Sequence, residues 1–451
     1  MPESPRPRPL PSPRPQPRGF ATDQVHAGAD PDAASGARIP PIHLTAGFVF
    51  DSFDTAAARF AGDDDGYTYS RVGNPSHTAL ERRLAALEGG DDAILVGSGQ
   101  AAVTVALLGV LAAGDRLLSS ASLYEGSRGL FRDNFSRFGI GTDFVDTPTD
   151  VEAWRRAIRP TTRALFVESI PNPSNDLHDL AALADLAHEH GLPLVVDNTL
   201  ATPYLLRPLE HGADVVVHSA SKFLAGHGAS LGGVVVVGGD HAWARRADMH
   251  PHLHEPSALL RGSSWTDAHG DAAYARFTRD LVAARLGPTI SPVHAFLLQQ
   301  GVETLSLRVA QHSRNALAVA QWLHAQPDVV DVGYPGLPGH PSHALAQQYL
   351  PRGAGSVFTV TLAGGTDAAR AFVDALALVS HMTHLGDVRT LVLHPASTTH
   401  AHRTSAERAA AGVHDGTLRL SVGIEDVADV VADLARGLAA VRDALTAAPA
   451  A

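Results

Sequence analysis

A single lysine, Lys222, stands among the 35 lysine and arginine residues of this 451-residue chain. An arginine guanidinium stays protonated and is not nucleophilic, whereas a lysine amine can lose its proton and condense with a carbonyl group. Lys222 comes shortly after the apolar run 214–218, at the carboxyl end of a predicted strand, where open α/β sheets bind their ligands. The position favours an imine-forming lysine over a surface lysine retained by chance.

Groups that could hold a phosphate accompany this lysine. The turn Gly-Ser-Gly-Gln, which ends at Gln100, follows a predicted strand and opens an alanine-rich helical pattern. Glycines let backbone N–H groups approach a ligand and a helix amino terminus favours an anion, so the turn fits a phosphate cradle. The hydroxyls of Ser219 and Ser221 could donate hydrogen bonds to the same phosphate. The alternative for the glycine turn is a plain tight turn without a ligand.

A carboxylate and an aromatic ring complete the set. Asp197 ends an apolar strand pattern that begins at Leu192. A buried carboxylate needs a cationic or hydrogen-bonding partner, and a protonated pyridine nitrogen would suit it; a helix N-cap is the alternative. Tyr124 follows another predicted strand and could stack on a flat ring, although alone it fits the core or the rim of a site. With the lysine and the phosphate cradle, these residues predict pyridoxal 5'-phosphate, whose ring accepts electrons from a substrate carbanion.

Composition excludes several classes of protein. The chain has no cysteine, which excludes disulfides, thiolate metal sites and a cysteine nucleophile. Its net charge of -12 argues against a nucleic-acid partner. The longest apolar stretch, 101–113, is too short to span a bilayer, and the proline- and arginine-rich amino terminus lacks the apolar segment of a secretory signal. We therefore expect a cytoplasmic protein without nucleic-acid or membrane partners.

Alternating histidines in one segment invite comparison with a metal site. On a strand, His250, His252 and His254 would share one face. No carboxylate-plus-histidine spacing of the kind that binds zinc accompanies them. We therefore expect no metal.

Short β-branched runs alternate with helical patterns from about 90 to 240, which is typical of an α/β fold with a mostly parallel sheet covered on both faces. The clearest helix, 76–88, has an apolar face and stops at Gly89. A loop-rich segment and a long helical pattern over 292–323 lead into a smaller α+β part. Strands are predicted at 93–96, 116–119, 163–168, 194–197, 213–218, 233–237, 355–362, 390–393 and 417–422, with a closing helix from about Asp426.

The chain resembles the Cys/Met-metabolism family of fold-type-I pyridoxal-phosphate enzymes over about residues 20–440. Seven motifs carry the resemblance, and they occur in the same order as in the family. This family includes cystathionine γ-synthase, cystathionine and methionine γ-lyases, and O-acetylhomoserine sulfhydrylase. The motifs are YTYSRVGNP (67–75), VGSGQA (96–101), PNP (171–173), VVDNT (195–199), SASKFLAGH (219–227), HPASTTH (394–400) and RLSVGIE (419–425).

The resemblance implies a role for each matching position. Lys222 would bind the cofactor as an imine and move protons, helped by the stacking ring of Tyr124, and Asp197 would pair with the pyridine nitrogen. Arg419 would clamp the substrate carboxylate through its planar fork, with His384 near it. The remaining implied cofactor contacts are Asn172 with the ring hydroxyl, the Gly99 and Gln100 amides and the Ser219 and Ser221 hydroxyls with the phosphate, and Tyr69 and Arg71 with the phosphate of a neighbouring subunit.

The proline/arginine composition of 1–18, the loop-rich segment 240–272 and the resemblance together indicate how the chain is divided and assembled. We expect a disordered tail over 1–18, an arm over 19–75 that contributes to the neighbouring subunit, a large cofactor domain over 76–272 and a C-terminal α+β domain over 273–451. Active sites shared across a dimer interface, in a homotetramer, would follow.

Within the family, the sulfhydrylase branch is the most similar. It is marked by LSLR (305–308), YPGL (334–337), YLPRGAG (349–355), GDVR (386–389) and the two threonines of HPASTTH. The expected reaction is replacement of the acetyl group of O-acetylhomoserine by sulfide, giving homocysteine and acetate. The alternatives are cystathionine γ-synthase or γ-lyase activity, and a regulatory protein that binds the cofactor without catalysis.

Three positions depart from the family pattern. Glu125 replaces the usual glycine beside the stacking tyrosine, and His384 replaces the asparagine of sulfhydrylases or the serine of lyases. The segment 41–45, Pro-Ile-His-Leu-Thr, replaces a more usual Ile-Tyr-Gln-Thr. All three are expected near the substrate, so they affect the choice of acyl group and nucleophile.

Overall fold

The computed structural model describes residues 18–32, 35–239, 241 and 243–447. The tail predicted over 1–18 lies, apart from Arg18, outside these residues. Two β-sheets organise the described chain, one of seven strands and one of five. The seven-stranded sheet consists of β1 (Asp92–Val96), β2 (Arg116–Ser120), β3 (Gly141–Val145), β4 (Thr162–Glu168), β5 (Leu194–Asp197), β6 (Val215–His218) and β7 (Gly233–Val237).

The larger sheet is mostly parallel, as predicted. Its strands lie in the order β1-β7-β6-β5-β4-β2-β3, and β7 alone runs antiparallel to its neighbours. Strand β3 was not predicted, because its sequence Gly-Thr-Asp-Phe-Val holds one buried residue and lacks the continuous apolar run of a central strand. Its place at the sheet edge, paired with β2, explains this composition.

Helices cover both faces of this sheet. Successive side chains of a strand point to opposite faces, so Val196 packs with the helices Pro75–Glu88 and Leu180–Glu189, whereas Val195 packs with the helix Gly99–Leu108. The sheet is therefore buried on both sides. Its carboxyl edge, formed by the ends of β4, β5 and β6, is where the predicted site residues gather.

Of the helices of five or more residues, Pro75–Glu88 agrees closely with the predicted pattern 76–88, and Val427–Ala447 begins close to the predicted start at Asp426. The pattern 292–323, however, is divided into two helices at Glu303 and Thr304, which cap them. The α-helices are Phe20–His26, Phe53–Ala61, Pro75–Glu88, Gly99–Leu108, Glu125–Gly129, Val151–Ala157, Leu180–Glu189, Trp265–His269, Ala273–Phe277, Pro292–Val302, Leu305–His324, His343–Tyr349, Gly365–Ala375, Ser405–Ala410 and Val427–Ala447.

The smaller sheet has its own core. Its strands β8 (Val329–Gly333), β9 (Val357–Leu362), β10 (Ser380–His381), β11 (Leu391–Leu393) and β12 (Thr417–Ser421) lie in the order β10-β11-β12-β9-β8. All pairs are antiparallel except β10 with β11. The short or half-exposed strands β8 and β10 lie at its edges and were not predicted. No helix in the described part of the chain has the length and apolar character needed to cross a bilayer.

Candidate active site

Lys222 lies in the turn that follows β6, and its Nζ atom is 3.1 Å from Nδ1 of His384. Burial, followed by the positive charge of Arg419, lowers the pKa of Lys222 to about 8. Burial, followed by the charge of Lys222, lowers the pKa of His384 to about 4. His384 is therefore neutral at pH 7, and its Nδ1 can accept a hydrogen bond from the lysine ammonium. The ring proton then resides on Nε2, which is buried without a partner among the described residues.

Arg308 holds the turn that carries Lys222. Its Nη1 donates to the carbonyl oxygen of Phe223 at 2.7 Å, and its Nη2 donates to that of Gly301 at 2.5 Å. A Cβ at Gly301 would lie 2.4 Å from the carbonyl oxygen of Ala225, so glycine allows the helix to approach this turn. Gly301 and Arg308, which lie on either side of the helix break at 303–304, thus both contact the lysine loop. Arg308 belongs to the motif LSLR (305–308), and no local pattern predicted this contact.

Asp197 ends β5 directly beside that turn. Thr199 donates to its Oδ1 through both its backbone N–H and its hydroxyl, and the same hydroxyl accepts from the backbone N–H of Ser219. Burial raises the pKa of Asp197, because a carboxylate is poorly solvated there. The carboxylate thus has hydrogen bonds from Thr199 and a weaker charge interaction with His218, and no lysine or arginine of the described residues forms an ion pair with it.

Glu168 is a site residue that sequence analysis missed. It ends β4, opposite Asp197 in the register of the two parallel strands. Its carboxylate accepts from the backbone N–H groups of Tyr124, at 2.6 Å, and Asn172, at 3.1 Å. Burial, followed by the negative charge of Asp197, raises its pKa to about 8. Its position at the end of a predicted strand, beside the strand that Asp197 ends, was the available indication.

Backbone groups of the glycine turn lie against Ser219. A Cβ at Gly99 would lie 2.5 Å from the Cβ and 2.8 Å from the Oγ of Ser219, so only glycine allows this approach without a shift. The Gln100 side chain has a buried oxygen without a recorded partner. Ser221 differs, because its hydroxyl donates to the carbonyl oxygen of Gly232 at 3.2 Å. The structure brings Gly99, Gln100 and Ser219 together, with Ser221 already engaged by the backbone.

Tyr124 and Asn172 border the same cleft. The Tyr124 side chain is 45% exposed, which leaves room for a ring to stack against it. Asn172 is buried, and its Oδ1 lacks a hydrogen-bond partner among the described residues. A narrow cavity is lined by both residues together with Glu125, His400 and Arg419.

Arg419 is a buried cation without a recorded acidic partner in the described chain. It lies on β12 and is 5% exposed. Its Nη2 donates to the carbonyl oxygens of Thr383, at 2.9 Å, and His384, at 3.3 Å. Burial lowers its pKa to about 10. The remaining guanidinium donors can therefore bind an anion that enters the cleft.

Tyr69 and Arg71 lie apart from this group in the single chain. Arg71 donates to the carbonyl oxygen of Ala284, and its guanidinium lies 5.7 Å from the centre of the Tyr69 ring. The Tyr69 side chain is about half exposed. The structure records no contact between this pair and Lys222 or Ser219 among the described residues.

One group of described residues has the geometry to hold a metal ion, and it lies elsewhere. His188, Asp214 and His241 meet where the chain enters β6, at the opposite end of that strand from Lys222. Protein partners already engage it, since His188 Nε2 lies 3.0 Å from Asp214 and His241 Nε2 lies 2.9 Å from His250 Nε2. The expectation of no metal stays a prediction.

The cleft fits pyridoxal phosphate on the chemistry of these residues. It offers the amine of Lys222 and the carboxylates of Asp197 and Glu168, which suit a cationic ring nitrogen. It also offers a close backbone approach that only glycine allows, at Gly99, and the partly exposed ring of Tyr124. It also holds buried polar atoms without partners, on Gln100, Asn172 and His384. Such atoms are costly unless a bound polar group satisfies them.

Comparison with known proteins decides the family. The family model described as Cys/Met metabolism PLP-dependent enzyme matches residues 21–439. The chain belongs to this family of pyridoxal-phosphate enzymes. The family and the cofactor predicted from the sequence are thereby confirmed for this Cys/Met metabolism enzyme.

Relatives of the Cys/Met metabolism enzyme span nearly its whole length. It is 44% identical to the O-acetyl-L-homoserine sulfhydrylase of Corynebacterium glutamicum, over 94% of this chain and 97% of that protein. It is 43% identical to the homocysteine synthase of Schizosaccharomyces pombe, over 93% and 98% of the two chains.

Solved structures share the fold of the Cys/Met metabolism enzyme. A Campylobacter jejuni protein described as an O-acetylhomoserine (thiol)-lyase matches with a TM-score of 0.90 and 33% identity, over 94% of this chain and 100% of that one. That protein carries N'-pyridoxyl-lysine-5'-monophosphate. Cystathionine gamma-lyase from Lactobacillus plantarum matches with a TM-score of 0.80 and 31% identity, over 94% and 100% of the chains. The predicted fold class is confirmed.

Proposed function

We propose that this enzyme replaces the acetyl group of O-acetylhomoserine by sulfide, giving homocysteine and acetate. The observation that carries the proposal is the placement of the Lys222 amine beside His384, next to the buried cation Arg419. An amine for proton transfer and a cation for a carboxylate are the two groups that an amino-acid substrate requires. The names of the relatives, O-acetyl-L-homoserine sulfhydrylase and homocysteine synthase, support this substrate.

Lys222 would carry the proton transfers at its Nζ atom. A general base works best when its pKa lies near the working pH, and burial has brought that of Lys222 down to about 8. The neutral His384 beside it can accept a hydrogen bond from the ammonium through Nδ1 and so hold Nζ in place. Lys222 would therefore remove one proton from the α carbon and one from the β carbon of the substrate, and would return a proton to each carbon once sulfide has replaced acetate.

The cofactor would be held by residues that line the cleft. When bound, pyridoxal phosphate delocalises the electrons left behind when the substrate loses a proton. Asp197 would pair with the ring nitrogen, Tyr124 would stack on the ring and Asn172 would contact the ring hydroxyl. The phosphate would bind the backbone of the glycine turn, through Gly99 and Gln100, and the hydroxyl groups of Ser219 and Ser221.

Arg419 would bind the substrate carboxylate. A buried guanidinium with free donors gains most from a bidentate anion, because little water competes for it. Its contact with the carbonyl oxygen of His384 places the His384 ring beside the same substrate. The orphaned Nε2–H of His384 supplies one further donor for that carboxylate.

The active site would be completed by a second subunit. Apolar side chains of the arm are unusually exposed, among them Leu44 at 74%, Val49 at 91% and Phe53 at 87%. Exposed apolar surface of this kind favours burial against another chain. We propose that the arm, residues 19–75, brings Tyr69 and Arg71 to the phosphate site of a neighbouring subunit. The two domains of each subunit would divide near residue 272. The assembly would be a homotetramer located in the cytoplasm.

The test is a paired-nucleophile assay on the purified holoenzyme. O-acetylhomoserine is incubated with sulfide or with cysteine, and homocysteine, cystathionine, 2-oxobutanoate and ammonia are measured. We expect homocysteine from sulfide as the main product. Cystathionine as the main product would identify a cystathionine γ-synthase, 2-oxobutanoate and ammonia alone would identify a lyase, and no turnover with bound cofactor would favour a regulatory protein.

A further inference from the structure

An ion pair spans one side of the cleft. Glu125, the first residue of the short helix after Tyr124, binds Nη2 of Arg403, which precedes the helix Ser405–Ala410. The side chains of Glu125 and Arg403 are 25% and 13% exposed, so the pair is shielded from most of the solvent. The two residues come from parts of the chain that belong to the two different sheets. Their contact therefore ties the larger-sheet part to the smaller-sheet part.

Glu125, one member of the pair, borders the narrow cavity beside Arg419, the residue proposed to bind the substrate carboxylate. Glu125 lines that cavity together with Tyr124, His400 and Arg419. The buried His400 experiences the charges of both Arg403 and Arg419, which, after burial itself, lower its pKa to about 4. His400 therefore lies near both the ion pair and the proposed carboxylate clamp.

The surroundings of the pair are cationic. Arg128, on the same short helix as Glu125, lies 4.4 Å from the centre of the Phe144 ring and donates to the carbonyl oxygen of Ala121 at 3.2 Å. Burial, followed by the charge of Arg403, lowers the pKa of Arg128. Two guanidinium groups thus share one carboxylate at this place.

We propose that the Glu125–Arg403 ion pair selects the sulfur nucleophile by narrowing the cavity beside Arg419, so that hydrosulfide fits readily and the larger cysteine is disfavoured. The proposal rests on the γ-replacement function proposed above. It assigns a purpose to Glu125, which stands where the family usually has glycine. Arg403 and Glu125 act here as specificity residues and not as catalytic ones.

The test compares nucleophiles in variants that break the pair. Arg403→Met and Glu125→Gln should each raise the ratio of kcat/KM for cysteine to that for sulfide by about 1.5- to fivefold, the range that an ion pair of this kind contributes. Arg155→Met, which breaks the ion pair with Glu189 on the surface, is the matched control and should leave the ratio unchanged. Far-UV circular dichroism and cofactor absorbance identify any variant that fails to fold.

A second measurement separates this proposal from the proposed function. Hydroxylamine and the larger O-benzylhydroxylamine both remove the carbonyl cofactor from its lysine, and the rates are followed by absorbance. Both variants should increase the rate of cofactor removal by O-benzylhydroxylamine more than the rate of removal by hydroxylamine. The proposal would be overturned if the variants changed neither the ratio of the two reagent rates nor the ratio of kcat/KM for cysteine to that for sulfide. It would also be overturned if the relative use of cysteine fell, because that would show that the pair binds cysteine. Failure of wild-type protein to use sulfide overturns the proposed function, and the reagent rates still decide the role of the pair.

Discussion

Glu168 and Asp197 end neighbouring parallel strands opposite one another, and the structure buries Glu168 and partly buries Asp197. Both have a raised pKa, with burial as the main cause. Glu168 accepts the backbone N–H groups of Tyr124 and Asn172, so it fixes two residues that border the ring-binding cleft. Two adjacent buried acids are unfavourable alone and become favourable beside a cation such as a protonated pyridine ring.

The first prediction concerns Glu168→Gln in the cofactor-free protein. The pKa of Glu168 is about 8 when folded, against an ordinary 4.5, so the folded state binds its proton more tightly between these values. The contribution of Glu168 to stability is therefore lost as pH rises from about 4.5 to 8. Glutamine cannot lose a proton, so the variant should not lose this stability as pH rises. In thermal unfolding of the two apoproteins, the stability of the variant relative to that of wild type should therefore increase from pH 5 to pH 9. Parallel pH profiles would contradict the assignment.

The second prediction concerns the amine of Lys222. Only the neutral amine condenses with an aldehyde, so the rate at which apoprotein forms an imine with pyridoxal phosphate should rise with pH and reach half its maximum near pH 8. Absorbance of the imine follows the reaction. Lys222→Arg, which keeps the charge, should form no imine and show no turnover. Retained turnover in Lys222→Arg would refute the central role of this residue.

The third prediction concerns Arg419→Met. Loss of a charged hydrogen-bonding partner for the substrate carboxylate should lower kcat/KM for O-acetylhomoserine roughly 10- to 150-fold, the equivalent of about 1.5–3 kcal/mol. The charge of Arg419 also lowers the pKa of Lys222, so the midpoint of imine formation should move to higher pH. Arg83→Met, which removes another buried arginine whose donors reach the carbonyl oxygen of Ala27 and Glu303, is the control. Equal losses in both variants would indicate a purely structural role.

The fourth prediction concerns Gly99→Ala. The added Cβ would lie 2.5 Å from the Cβ of Ser219, so the turn must shift. Overpacking of about 1–3 kcal/mol should raise the dissociation constant of pyridoxal phosphate, measured by titration of the apoprotein, about 5- to 150-fold. The control is Gly339→Ala, whose added Cβ would have no neighbouring atom within 4 Å, and it should leave the dissociation constant of pyridoxal phosphate unchanged. A wild-type dissociation constant in Gly99→Ala would exclude a tight phosphate approach at this turn.

Local sequence patterns were enough to predict the chemistry of this protein. Lys222 could be singled out because no other lysine is present, and Asp197 because it ends a continuous apolar run that reads as a buried parallel strand. Local patterns also predicted the strand–helix alternation, because buried strands and amphipathic helices have different periods. Strand β3 lacked such a pattern, since an edge strand needs no apolar run.

Tertiary structure alone decided which side chains meet across long separations in the chain. The pairs Lys222–His384 and Glu125–Arg403 join residues more than 160 positions apart, and no local pattern encodes such contacts. The same holds for the grip of Arg308 on the Phe223 carbonyl oxygen and for the carbonyl partners of Arg419. Burial sets the pKa values of these groups, and burial exists only once both sheets have packed around the cleft.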